Sequence, residues 1–142
     1  MAAPRIVRDI MSTNLTTLDQ ESRLLDAVLL MRSSGYRHLP VVNGDKLVGI
    51  VTDRDVQRAA PSMLSRISQE EYNRIFEGTP IARIMVKEVV TITPNTPVRD
   101  AVRITYENKF GCLPVVEDNN RLVGIVTVTD LLGVLDRLLA GG

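Results

Sequence analysis

Two short stretches of the chain carry the same polar pair at the same spacing: Thr52-Asp53-Arg54-Asp55 and Thr127-Val128-Thr129-Asp130. A threonine followed three residues later by an acid is close to a capping box at a helix start. There the hydroxyl and the carboxylate satisfy each other's backbone amides. Such a cap is worth about 1 kcal/mol with no ligand present. The same groups can also serve a ligand, and the two uses compete, because one carboxylate has few lone pairs to share. Arg54 lies inside the first motif and has no counterpart in the second. It is a natural phosphate partner, or equally a solvated surface side chain. His38 is the sole histidine and Cys112 the sole cysteine. A hydrolase triad needing several histidines, a Cys-based zinc site and an internal disulfide are therefore excluded on ligand count. Taken alone, His38 reads as a strand-start residue with a satisfied hydrogen bond, and Cys112 as a small buried hydrophobe. There is no G-x-S-x-G and no G-x-x-x-x-G-K, and an enzyme is not expected.

The elements that must position these residues occur twice. Setting Met11 on Met85, an offset of 74 (85 − 11), brings Ile10 onto Ile84 and Thr17 onto Thr91. It also brings Asp26-Ala27-Val28 onto Asp100-Ala101-Val102 and Leu39-Pro40-Val41-Val42 onto Leu113-Pro114-Val115-Val116. One extra residue follows in the turn Glu117-Asp118-Asn119-Asn120. After it Leu47-Val48-Gly49-Ile50-Val51-Thr52 meets Leu122-Val123-Gly124-Ile125-Val126-Thr127. The one insertion falls in a turn, where insertions cost least.

Each copy reads β-α-β-β-α. Short β-prone runs over 15–18 and 89–92 are followed by N-cap candidates Ser22 and Thr96, with Pro97 suited to the first helical position. Leu25, Val28 and Leu29, and in the second copy Val98, Ala101 and Val102, have helical spacing for an apolar face. Gly35 ends the first helix. Two apolar strands then flank Asn43-Gly44-Asp45, a hairpin signal, and a second helix starts after Thr52 and after Thr127. Pro61 helps to stop that helix in copy one. The copies are joined through 61–79, where Ser68-Gln69-Glu70-Glu71 caps a short helix carrying Tyr72, Ile75 and Phe76 and ending at Gly78.

The bulk numbers set the class. The chain has 142 residues, 44% hydrophobic and 24% charged, with mean hydropathy +0.06. Aromatics are 4% with no Trp, so the core must be aliphatic. Lys plus Arg and Asp plus Glu are 17 each and scattered. That balance gives no nucleic-acid surface, and nucleic acid is not an expected partner. No apolar run reaches the roughly 20 residues needed to span a membrane, and the N-terminus has no signal-like apolar stretch. A cytoplasmic setting is expected. One β-α-β-β-α copy of about 55 residues would be marginal alone. Two copies packed sheet to sheet would share a core and leave two symmetry-related grooves, and ligand sites favour such interfaces.

The repeated LPVV, polar turn, LVGIVT-x-x-D pattern, led by Asp9-Ile10-Met11 or Arg83-Ile84-Met85, resembles the CBS (cystathionine β-synthase) domain. A tandem pair of these is a Bateman module. The resemblance runs from about Arg5 to Leu135. It implies an α/β (α+β) fold of two β-α-β-β-α repeats packed sheet to sheet with pseudo-two-fold symmetry, with repeats at 5–60 and 80–137 and a linker helix at 61–79. The stretch RHLPVVNGDKLVGIVTDRDV followed by AAPS is similar to the N-terminal part of acetoin utilization proteins.

The resemblance also implies a ligand. In CBS pairs that bind adenine nucleotides, the Thr and Asp of T-x-x-D hold the ribose and first phosphate. Here these are Thr52, Asp55, Thr127 and Asp130, and the carboxylate would accept charge-assisted hydrogen bonds from the ribose hydroxyls. In relatives, residues matching Arg37 and His38 reach across to the phosphate at the other copy's site; here that would pair them with the Asp130 site, while Gly111 and Cys112 cannot do the same for the Asp55 site. Thr16 and Val90 occupy first-strand positions that line the adenine pocket. The expected ligands are AMP, ADP, ATP or S-adenosylmethionine, with no required cofactor and no metal. The implied role is a sensor that signals to an unidentified regulated protein, commonly as a homodimeric disc of four repeats. The alternative is a structural dimerisation module without a ligand.

Overall fold

The computed structural model describes residues 4–61 and 66–141. Residues 62–65 of the inter-repeat segment, including Ser62 of the AAPS stretch, lie outside the described residues. The fold is mixed α/β and divides into two compact units. We call residues 16–89 the Thr52 unit, and residues 4–15 with 90–141 the Thr127 unit.

In the Thr52 unit, β1 (Leu18–Asp19) runs parallel to β2 (His38–Asn43), which pairs antiparallel with β3 (Lys46–Thr52). The hairpin closes at Asn43↔Lys46, with Gly44 at φ +64, a conformation that glycine adopts without strain. Between β1 and β2 lies α1 (Leu24–Ser34), ended by Gly35 in the left-handed region at φ +78. After β3 comes α2 (Asp53–Ala59), where Ala60 is extended before Pro61, as a residue preceding proline tends to be. The predicted linker helix is α3 (Gln69–Gly78), with Ser68 Oγ accepting the Glu71 amide at 3.0 Å. Tyr72, Ile75 and Phe76 are its half-buried side. A single-turn α4 (Ile81–Ile84) completes the unit.

The Thr127 unit repeats the plan. It has α5 (Val98–Asn108), β4 (Cys112–Glu117), β5 (Arg121–Thr127) and α6 (Val128–Gly141). The inserted residue widens its hairpin into a turn in which Asn119 and Asn120 take positive φ, a role asparagine tolerates.

The two cores match position for position. Leu18, Ala27, Leu39, Val41, Val51 and Ile81 form one; Val7, Ile92, Ala101, Leu113, Val115 and Val126 form the other. Under the repeat alignment each residue has its counterpart, with one inversion. Ile81, from the lead-in of copy two, fills the core of the Thr52 unit, and Val7, from the lead-in of copy one, fills that of the Thr127 unit. Each unit therefore takes its lead-in from the opposite repeat. The backbone bonds match as well. Ile81 N–H donates to Ser22 O and Val7 N–H to Thr96 O, both at 2.8 Å; Leu24 N–H donates to Thr79 O and Val98 N–H to Arg5 O, both at 2.9 Å.

A methionine seals each exchange. Val86 exchanges backbone hydrogen bonds with Ile50, and Ser12 with Ile125. This lays Met85 across Gly49 and Met11 across Gly124. A Cβ at Gly49 would stand 2.6 Å from Met85 Sδ, and one at Gly124 2.7 Å from Met11 Sδ. The glycine of each LVGIVT strand is thus a seat for the methionine of the other repeat.

Three sequence expectations are corrected. The helices start one residue later than the Ser22 and Thr96 caps imply: the N-caps are Arg23 and Pro97. The carbonyls of Ser22 and Thr96 are held by the incoming lead-in, which keeps the chain extended there. Asp26 instead caps α1 from within, accepting the Arg23 amide at 2.7 Å. The expected apolar faces are also shifted. The buried residues of α1 are Leu24 and Ala27, whereas Leu29 is 53% exposed; in α5 Val98 and Ala101 are buried but Val102 is not. The first strands, expected over 15–18 and 89–92, shrink to β1 and to a single bridge from Ile92 to Val115.

Candidate functional site

Both T-x-x-D motifs sit at a strand-to-helix junction. Thr52 is the last residue of β3 and the N-cap of α2; Thr127 ends β5 immediately before α6. Across the ladder His38 pairs with Thr52 and Cys112 with Thr127. The junctions are tied from the same side. Asp53 N–H donates to Arg37 O at 2.9 Å, and Val128 N–H to Gly111 O at 3.2 Å.

Inside the motifs the hydrogen bonds form a closed box. Asp55 Oδ2 accepts from Thr52 N–H at 2.9 Å and from Thr52 Oγ1 at 3.0 Å, and Asp55 N–H donates back to Thr52 Oγ1 at 3.2 Å. The second motif repeats this at 2.8, 3.1 and 3.4 Å. The cap reading is therefore realised in both copies. It does not exhaust the carboxylates, because all the acceptance falls on Oδ2. The Oδ1 atoms of Asp55 and Asp130 take no hydrogen bond from any described residue. The threonine hydroxyl, by contrast, has already given its proton to the aspartate and can only accept. Of the first three amides of each helix, two are engaged, leaving the Arg54 and Thr129 N–H groups.

The surroundings of the two boxes differ. His38 is half-buried, and that burial holds its imidazole below the ordinary value of 6.5. Asp53 pulls the other way, Arg37 adds to the lowering, and Asp55 again opposes it. His38 thus sits in the field of its own copy's motif. Arg37 and Arg54 are exposed and make no ion pair with any described residue. At the other box Cys112 is buried, and burial pushes its thiol up to about 12, so it stays protonated at neutral pH. Thr16 is half-buried and Val90 is 45% exposed; both lie before the strand rather than in it. Sequence reasoning missed Asp53 as a partner in the field at His38. The signal was available, since T-D-R-D places an acid where the second copy has Val128. Among the described residues no group of three His, Cys, Asp or Glu could hold a metal ion, and no helix is long and apolar enough to cross a membrane.

The family model for the CBS domain matches the chain twice, at residues 7–62 and 81–137. The chain belongs to the CBS domain family. As a tandem CBS pair it is 33% identical over 135 residues to a CBS domain-containing protein of Dictyostelium discoideum, covering 94% of this chain and 93% of that one. Longer curated relatives also match, and the chain spans only 25% and 22% of the length of two of them. Among solved structures, an acetoin utilization protein of Vibrio cholerae is 34% identical with a TM-score of 0.78, covering 95% of this chain and 93% of that one. The CBS pair of protein MJ0100, solved with 5′-methylthioadenosine and S-adenosyl-L-methionine, is 28% identical with a TM-score of 0.74, covering 99% and 98%.

Proposed function

We propose that this CBS pair is a regulatory module that binds adenine nucleotides or adenosyl compounds at its T-x-x-D motifs and signals occupancy to a partner protein. The observation that carries the reading is the divided carboxylate. One oxygen of Asp55 and of Asp130 builds the cap, while Oδ1 has no partner among the described residues. A carboxylate held rigid by its own helix start presents a pre-oriented acceptor to a ribose diol, which makes charge-assisted hydrogen bonds. The relative solved with two adenosyl ligands supports that ligand class. Signalling requires that the ligand bind one conformation more tightly than another.

A second reading, an association module, is favoured by a separate observation. Leu132, Leu135, Leu138 and Leu139 of α6 are all exposed, a side that could meet another copy. The deciding experiment is calorimetric titration with AMP, ATP and S-adenosylmethionine, alongside thermal melts. Ligand at about 100 times its Kd is expected to stabilise the fold by roughly 2.7 kcal/mol. The absence of both binding heat and a melting shift at millimolar ligand would overturn the sensor reading.

A further inference from the structure

The outward faces of the two first helices, α1 and α5, have diverged in opposite directions. In the Thr52 unit, β1, α1 and the turn between them bound a groove of about 790 Å³. Leu18, Leu29 and Leu30 give it an apolar lining, and Asp19, Glu21 and Asp26 give it negative charge. Leu29 is 53% exposed, and the three acids are exposed. None of these acids forms an ion pair with any described residue. At the equivalent positions the second copy has Thr93 for Asp19, Asn95 for Glu21 and Arg103 for Leu29.

The face of α5 carries the opposite chemistry. Arg99, Val102, Arg103 and Tyr106 fall at i, i+3, i+4 and i+7, which is one stripe of a helix. Tyr106 is 82% exposed, and Val102 and both arginines are exposed as well. Arg103 approaches Glu107 only at 4.0 Å, and Arg99 has no ion pair among the described residues. Asp100 and Glu107 lie off the stripe at helical spacing. Tyr106 stands where α1 has Arg32, and Arg99 where α1 has Leu25. Tyrosine and arginine are the residue types that anchor interfaces, with a ring seated in a pocket of the partner. One helix face therefore has the hollow and the acids, and the other has the ring and the cations. Like faces do not fit. Setting α1 on α1 opposes acid to acid, and setting α5 on α5 opposes Arg to Arg, and such juxtaposition is costly.

We propose that α5 of one copy docks on the α1 groove of a second copy. Tyr106 enters beside Leu29 and Leu30, and Arg99 and Arg103 meet the acids of the rim. The contact joins unlike faces, so copies associate head to tail. It needs no ligand and does not use the α6 leucines.

The test is sedimentation velocity of the full chain without ligand, over a concentration series at low and high salt. Concentration-dependent association is expected, weaker at high salt because the charges are exposed and screened. Tyr106→Ala should weaken it about tenfold or more. The double substitution Arg99→Glu and Arg103→Glu should weaken it comparably, and so should Glu21→Arg. All four positions are exposed, so the fold is expected to persist. Mixing the double variant with Glu21→Arg should restore association, because the native α5 face of the second meets the native groove of the first. Association that survives Tyr106→Ala and both charge reversals overturns the proposal and moves the contact to another surface. A monomer at every concentration overturns it too and leaves the groove to a different partner. So does a mixture that fails to re-associate. The adenosyl-binding reading is untouched by any of these results.

Discussion

The core clusters of the Thr52 and Thr127 units occupy equivalent positions, while the residues beside their motifs differ. Every core position of one has an apolar counterpart in the other, down to the methionine seated on a glycine. The T-x-x-D boxes close with the same three hydrogen bonds. Beside those boxes, however, the Thr52 unit has Arg37-His38 where the Thr127 unit has Gly111-Cys112. Packing at interior density punishes even a single methylene, so the duplicated core tolerates little drift. The rim of the site has no such constraint.

The comparison can be broken most severely at the core. Leu39→Ala and Leu113→Ala remove equivalent, fully buried side chains, and each is expected to cost about 2–5 kcal/mol in urea denaturation. A loss in one unit with none in the other would refute the equivalence. The exchanged lead-ins are probed at the glycine seats. Gly49→Ala and Gly124→Ala force a Cβ against a methionine sulfur, at about 1–3 kcal/mol each. Relief should be selective, because residues in contact couple and distant ones do not. Met85→Ala should partly rescue Gly49→Ala, and Met11→Ala should partly rescue Gly124→Ala, the Val86 and Ser12 carbonyls remaining at 3.0 and 3.1 Å from the new Cβ. Rescue by the opposite methionine would mean the lead-ins are not exchanged.

The smallest effect belongs to the Thr52 unit alone. Because burial depresses the His38 pKa from 6.5, the folded state resists a proton that the unfolded chain accepts. Above pH 6.5 the two states bind equally. As pH falls below it, the unfolded state binds more protons and stability drops. Thermal melts between pH 7.5 and 5.5 should show a decline that His38→Gln reduces, and an identical slope in that variant would remove His38 from the account.

Much of the site was legible in the residues. Threonine-to-acid spacing announced the caps, the Asn-Gly turn and the one-residue insertion located both hairpins, and Ser68 marked the linker helix. The helix faces were harder. α1 reads Leu-Leu-Asp-Ala-Val-Leu-Leu-Met, apolar on nearly every side, so periodicity could not choose between Leu24 and Leu25 as the inward residue. The caps at Ser22 and Thr96 were misplaced for a different reason: a segment remote in sequence occupies those carbonyls.

The repeated pattern alone was enough to establish two copies of one unit, their hairpins and the T-x-x-D helix starts. These depend on local propensity and on hydrogen bonds that reach only three or four residues. Packing decided which lead-in completes which core. Val7 and Ile81 are near-equivalent aliphatic side chains that fit either place by type, and no local signal separates them. The choice is made by long-range backbone bonds and by the close approach of methionine to glycine, which exist only once the whole chain has folded.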